Sequence, residues 1–137
     1  MTRNDLEQIY HLSRELRLLE RELERLRGRS LIQSPLPNAS RASGVSDKVG
    51  GKAARIVDLE SRIEQRKKLV AEVYDFIDNI KDAQMRIIVK SHCADNDKWS
   101  KTLDKVGGEA TLDGIKKRYL RFLKKTFQNC PDCPECP

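Results

Sequence analysis

Six apolar residues, Ile9, Leu12, Leu16, Leu19, Leu23 and Leu26, follow one another at alternating spacings of three and four. That period of 3.5 suits a helix that buries one seam and rules out a strand, whose apolar positions would alternate. Glu and Arg fill the flanks. The same register restarts at Val49 and continues through Ile56, Leu59, Ile63, Val70, Val73, Ile77 and Ile80, with Lys52 and Arg66 occupying two seam positions. A coiled-coil helix over 1–28 is therefore expected, with Gly28 as its C-terminal cap. A second is expected over 47–81, capped by Ser46 or Asp47. At 1.5 Å per residue the second would reach about 50 Å.

Between the two lies 29–46, which holds Pro35, Pro37, Gly44 and five serines. It reads as a flexible linker. The simplest arrangement is a long antiparallel coiled-coil hairpin; the alternative has the seams meeting across a dimer. Two helices alone leave Val73, Ile77 and Ile80 short of partners, so a homo-oligomer through the coiled coil is expected.

Composition agrees with long solvated helices. Charged residues make up 35% of the 137 and aromatics 5%, a thin supply of core for one compact globule. The net charge of +6 and pI near 9.3 favour anionic partners, nucleic acid before membrane surface. The longest aliphatic run is Ile87-Ile88-Val89, so no membrane partner is expected. The N-terminus is charged within five residues and shows no apolar signal core, which points to the cytoplasm.

The region 82–127 reads as three helices. Asp82 caps the first, with Met85, Ile88, Val89 and Cys93 inward. The segment ADND, 94–97, is a turn and cap. The middle helix buries Trp99, Leu103 and Val106, and Gly107-Gly108 ends it because glycine enters a left-handed backbone without steric cost. Thr111 is a natural N-cap for the last helix, and Asp113 lies in its first turn, where the helix dipole favours an acid. On a wheel of 100° per residue, Leu112, Ile115, Tyr119, Phe122 and Leu123 share a face. Asp113, Gly114, Lys117, Arg121 and Lys124 lie opposite, flanked by Lys116, Arg118 and Lys125. A short helix, a tight turn and a helix that is apolar on one side and basic on the other make a helix-turn-helix that suits double-stranded DNA. Lys117 and Arg121 are the base-reading candidates and Lys116, Arg118, Lys124 and Lys125 the phosphate contacts. Gly114 would allow close approach. A second basic group, Arg41, Lys48, Lys52 and Arg55, is either a backbone contact or solvated linker.

GVSDKVGGKAARIVDLESRIE (44–64), followed by the heptad helix and then by WSKTLDKVGG and KKRYLRFL, resembles a family of short phage and prophage proteins of Firmicutes. Those proteins carry an N-terminal coiled coil and a C-terminal helix-turn-helix similar to region 4 of sigma-70 factors. The resemblance covers about 5–125. It implies a transcriptional regulator in a bacterial host's cytoplasm, with host RNA polymerase as a further partner. The family pattern usually has alanine where this chain has Leu103, and a tighter turn than GGEA. Two rivals stand beside it. A terminase small subunit would form a ring to mark DNA for packaging, and a coiled-coil interaction module would grip polymerase or a repressor.

The tail NCPDCPECP holds Cys130, Cys133 and Cys136. Cys-Pro-x-Cys resembles a zinc knuckle, but four ligands are needed and three are local. A fourth would come from Cys93, His92 or a second chain, so zinc is a possible cofactor and a tail of free thiols the alternative. His92 and Cys93 are adjacent on a helix and point about 100° apart, which argues against a nucleophile–base pair. No phosphate loop or HExxH motif is present, and no enzyme is expected.

Overall fold

Thr2 starts the first helix by a reciprocal cap. Its hydroxyl accepts from the Asp5 amide at 3.3 Å, and its own amide donates to the Asp5 carboxylate at 2.7 Å. In the computed structural model, residues 1–32 and 47–127 are described, and every element among them is helical. The order is α1 (Arg3–Glu7), α2 (Ile9–Ile32), α3 (Asp47–Asp78), α4 (Ala83–Val89), α5 (Trp99–Val106) and α6 (Leu112–Phe127). A π-helical segment, Lys90–Ala94, continues α4. The expected all-α class is what the chain adopts.

The first helix differs from expectation at both ends. Gln8 interrupts it, yet the Leu12 amide still donates to the Gln8 carbonyl at 2.9 Å, so α2 follows at once. Gly28 does not end α2, which runs on to Ile32. A terminal glycine cap needs a left-handed backbone, and Gly28 has none. Residues 33–46, the remainder of the expected linker with Arg41, lie outside the described residues.

By contacts the chain divides into two compact units. One is Ser13–Lys68; the other gathers Met1–Leu12 and the described residues from Leu69 onward. Within Ser13–Lys68, ion pairs join α2 and α3 in antiparallel order. Glu15 and Glu20 meet Arg66 (3.2 Å) and Lys67 (2.9 Å), while Glu22 and Arg27 meet Arg55 and Glu60. All are partly exposed, so each contributes about 0–1 kcal/mol. The seam beneath is only partly closed. Leu59 and Ile63 are buried, while Leu16, Leu19, Leu23, Leu26 and Ile56 are half-buried. Arg55, read as one of the second basic group, is engaged with Glu22.

The other unit holds the main core. Val73, Ile77 and Ile80 are 0, 0 and 8% exposed, in one cluster with Leu6, Ile9, Met85, Ile88 and the inner face of α6. Their partners lie within the chain, which removes the reason for expecting self-association at these positions. Fully burying such a side chain contributes about 1.5–3 kcal/mol. The core therefore does not begin at 82: the end of α3 and the first twelve residues belong to it.

α4, α5 and α6 pack against one another pairwise. Asp82 caps α4 as expected, accepting from the Gln84 amide at 3.0 Å. The segment 94–97 behaves differently. Asn96 takes a left-handed φ of 53°, which a short polar side chain tolerates. Lys98 occupies the cap position of α5 with no side-chain cap bond. Asp97 instead turns back, accepting from the Ser91 hydroxyl (2.9 Å), Lys101 (2.7 Å) and Lys105 (2.6 Å). These cations, Lys101 first, hold its carboxyl well below the usual carboxylate range. The innermost residue of α5 is Thr102 at 0% exposed, while Trp99, Leu103 and Val106 are only partly buried. Thr102 is tolerated there because its hydroxyl is satisfied by Ser91 (3.2 Å) and the Lys98 carbonyl (3.3 Å). Gly107 and Gly108 both adopt positive φ, 66° and 74°, so the break reads as expected.

Candidate nucleic-acid interface

α6 is fixed from its inner side. Ile115, Tyr119, Leu123 and Phe127, four apart, are all buried. Phe122 and Phe127 lie 6.4 and 6.0 Å, ring to ring, from Phe76 of α3. Tyr119 meets His92 and Trp99 edge-on at 5.4 and 5.5 Å, while His92 stacks on Trp99 at 3.9 Å. The Tyr119 hydroxyl lies 3.2 Å from the Cys93 sulfur. Burial raises the pKa of both groups, so the phenol and the thiol stay neutral.

The start of α6 is set by Thr111, whose hydroxyl accepts from the Gly114 amide at 3.2 Å. A Cβ on Gly114 would come 2.9 Å from that hydroxyl oxygen. The glycine thus makes room for the cap, a role the sequence reading did not give it. Gly114 is also exposed on the outer arc, where close approach was expected.

That arc carries Asp113, Gly114, Lys117, Arg118, Leu120, Arg121, Lys124 and Lys125, all exposed. Lys116 is half-buried toward the core side, where its aliphatic stem can lie on apolar surface. Arg118 is tied to the start of α4, meeting Asp82 at 3.0 Å and the Gln84 side-chain oxygen. None of Lys116, Lys117, Arg121, Lys124 and Lys125 enters an ion pair among the described residues. Asp113 is the one acid in α6. Leu120, 51% exposed at the arc's edge, was not singled out from sequence. An exposed leucine beside cations offers an apolar contact of the kind a thymine methyl accepts.

The predicted metal ligands Cys130, Cys133 and Cys136 lie outside the described residues. Of the suggested fourth ligands, Cys93 is 4% exposed and engaged with Tyr119, and His92 is packed between aromatic rings. Among the described residues no group of three or more His, Cys, Asp or Glu is placed to hold a metal ion. No helix among them is long and apolar enough to cross a membrane. No family model matches the chain, and comparison with curated proteins and with solved structures finds no match.

Proposed function

We propose that this chain is a sequence-specific double-stranded DNA-binding protein, a phage transcription regulator in which α4, α5 and α6 act as a helix-turn-helix and α2 and α3 form a coiled-coil hairpin. The observation that carries this reading is the outer arc of α6, where Lys117, Arg121, Lys124 and Lys125 are exposed without ion pairs among the described residues. From Lys117 to Lys125 the helix rises about 12 Å, close to the width of a major groove of about 12 Å. Lys117 and Arg121, near the middle of the arc, are the base readers. Lys124 and Lys125 hold phosphates, with Thr111 and Gly114 setting the approach of the helix start. Arg118 orients α6 on α4 as well as facing solvent. The half-buried Leu16, Leu19, Leu23 and Leu26 support self-association of the hairpin.

The test is fluorescence anisotropy on duplex DNA from the flanks of the protein's own gene and on scrambled duplexes, for the wild type and Lys117→Ala/Arg121→Ala. Preference for a flank site, lost in the double variant, supports the reading. Equal affinity for every duplex, unchanged in the variant, would overturn it.

A further inference from the structure

The charges of α2 are sorted by face within the unit Ser13–Lys68. Its acids Glu15, Glu20 and Glu22 are drawn to α3 by Arg66, Lys67 and Arg55. What remains outside is nearly single-signed. Arg14, Arg17, Arg21 and Arg25 are exposed, and none enters an ion pair among the described residues. At 100° per residue they share an arc of about 80°, and they span about 16 Å along the axis. Glu24 stands at the edge of that arc. Arginines three and four apart on a helix repel one another, so their placement works against the helix that carries them. A second observation lies on the same arc. Gly28 is inside the helix with nothing within 4 Å of where its Cβ would be, so no neighbour in the fold calls for a glycine there.

We infer that the arginine face of α2 is a second, sequence-independent contact for the phosphate backbone of double-stranded DNA, distinct from α6. The guanidinium fork matches phosphate oxygens two at a time, and four such groups in line follow a strand whose charges recur at short, regular intervals. Gly28 leaves the end of this face bare for a flat partner. A lipid surface fits less well. Leu18, 56% exposed, is the one large exposed apolar residue among the described side chains of α2, and a surface-lying membrane helix needs a whole apolar face.

The test measures affinity for a scrambled duplex of about two helical turns against salt. Compared are the wild type, Arg14→Gln/Arg17→Gln/Arg21→Gln/Arg25→Gln, the matching Arg→Lys variant and Lys117→Ala/Arg121→Ala. Removing four phosphate contacts lowers the slope of log K against log salt by about 3 to 4. The inference expects that drop in the Gln variant, retention of most of the slope in the Lys variant, and an unchanged or higher Tm in both. An unchanged slope in the Gln variant overturns it, even where Lys117→Ala/Arg121→Ala abolishes site preference. The converse, a lower slope in the Gln variant with Lys117 and Arg121 without effect, upholds this contact and overturns the role given to α6. A wild type that binds no duplex overturns both. A fall in Tm in the Gln variant with no change in slope makes the stripe structural. Binding of phosphatidylserine vesicles that the Gln variant loses while its DNA slope is unchanged assigns the face to a membrane.

Discussion

α5 and α6 are neighbouring helices, both with lysines along their outer sides, yet their charges have different fates. On α5, Lys101 and Lys105 are held by Asp95 and Asp97 at 2.6–2.8 Å. On α6, Lys117, Arg121, Lys124 and Lys125 meet no acid among the described residues. The first arrangement spends its positive charge inside the fold, locking the 94–97 turn against α5. The second leaves it for a partner. Basic residues in a sequence therefore do not mark an interface by number alone; what matters is which of them the fold has already neutralised.

The largest expected effect breaks this contrast outright. Replacing Lys117, Arg121 and Lys124 by Ala should cut duplex binding by about a hundredfold or more at moderate salt and lower the salt slope by about 2.7, since each lost phosphate contact removes about 0.9. Lys101→Ala/Lys105→Ala should leave affinity within about twofold. Equal losses in the two variants would show that pairing is irrelevant and only net charge counts.

Next is the scaffold behind α6. Leu123, 1% exposed, should cost about 2–5 kcal/mol when changed to Ala, read by urea unfolding. Leu120→Ala on the exposed arc should leave stability nearly unchanged. If both destabilise alike, the assignment of inner and outer faces fails.

The α5 side is sharpened by pH. Because the folded Asp97 carboxyl titrates below the unfolded value of about 3.9, its stabilising effect is full above roughly pH 5 and is lost as pH falls through that unfolded value toward the lower folded one. Asp97→Asn should lower Tm at pH 7, and the gap to wild type should narrow steadily below about pH 4. A gap independent of pH would mean that the ion pairs with Lys101 and Lys105 are not what Asp97 contributes.

The smallest expected effect concerns the start of α6. Thr111→Ala should cost about 0.5–2 kcal/mol. Gly114→Ala alone should yield no gain, because the new Cβ crowds the Thr111 hydroxyl. In a Thr111→Ala background it should stabilise by about 0.5–1 kcal/mol. Additive effects in the double-mutant cycle would separate the glycine from the cap.

Much of α4 to α6 was legible in the sequence because its punctuation is local. Asp82, Gly107-Gly108 and Thr111 each act within a few residues of themselves, and the i, i+4 apolar stripe of α6 is strong. What escaped depends on distant partners. The burial of Val73, Ile77 and Ile80 rests on Leu6 and Ile9 some 65 to 70 residues away in sequence. The binding of Arg118 by Asp82 crosses 36 positions. Thr102 was passed over because its polarity disguises a core position, and the hydroxyl of Ser91 that makes it tolerable belongs to another helix turn. Gly28 misled because glycine ends many helices, but only where the backbone turns left-handed. The arginine face of α2 was masked by its glutamates, whose removal to α3 is visible only once the two helices are side by side.

The most direct test of the central claim is an NMR titration of the full chain with duplex DNA, following backbone amide shifts residue by residue. The account predicts the largest shifts in α6 at Lys117, Arg121, Lys124 and Lys125, with Lys101 and Lys105 of α5 little changed. Shifts concentrated on α5, or none on α6 at saturating duplex, would contradict it.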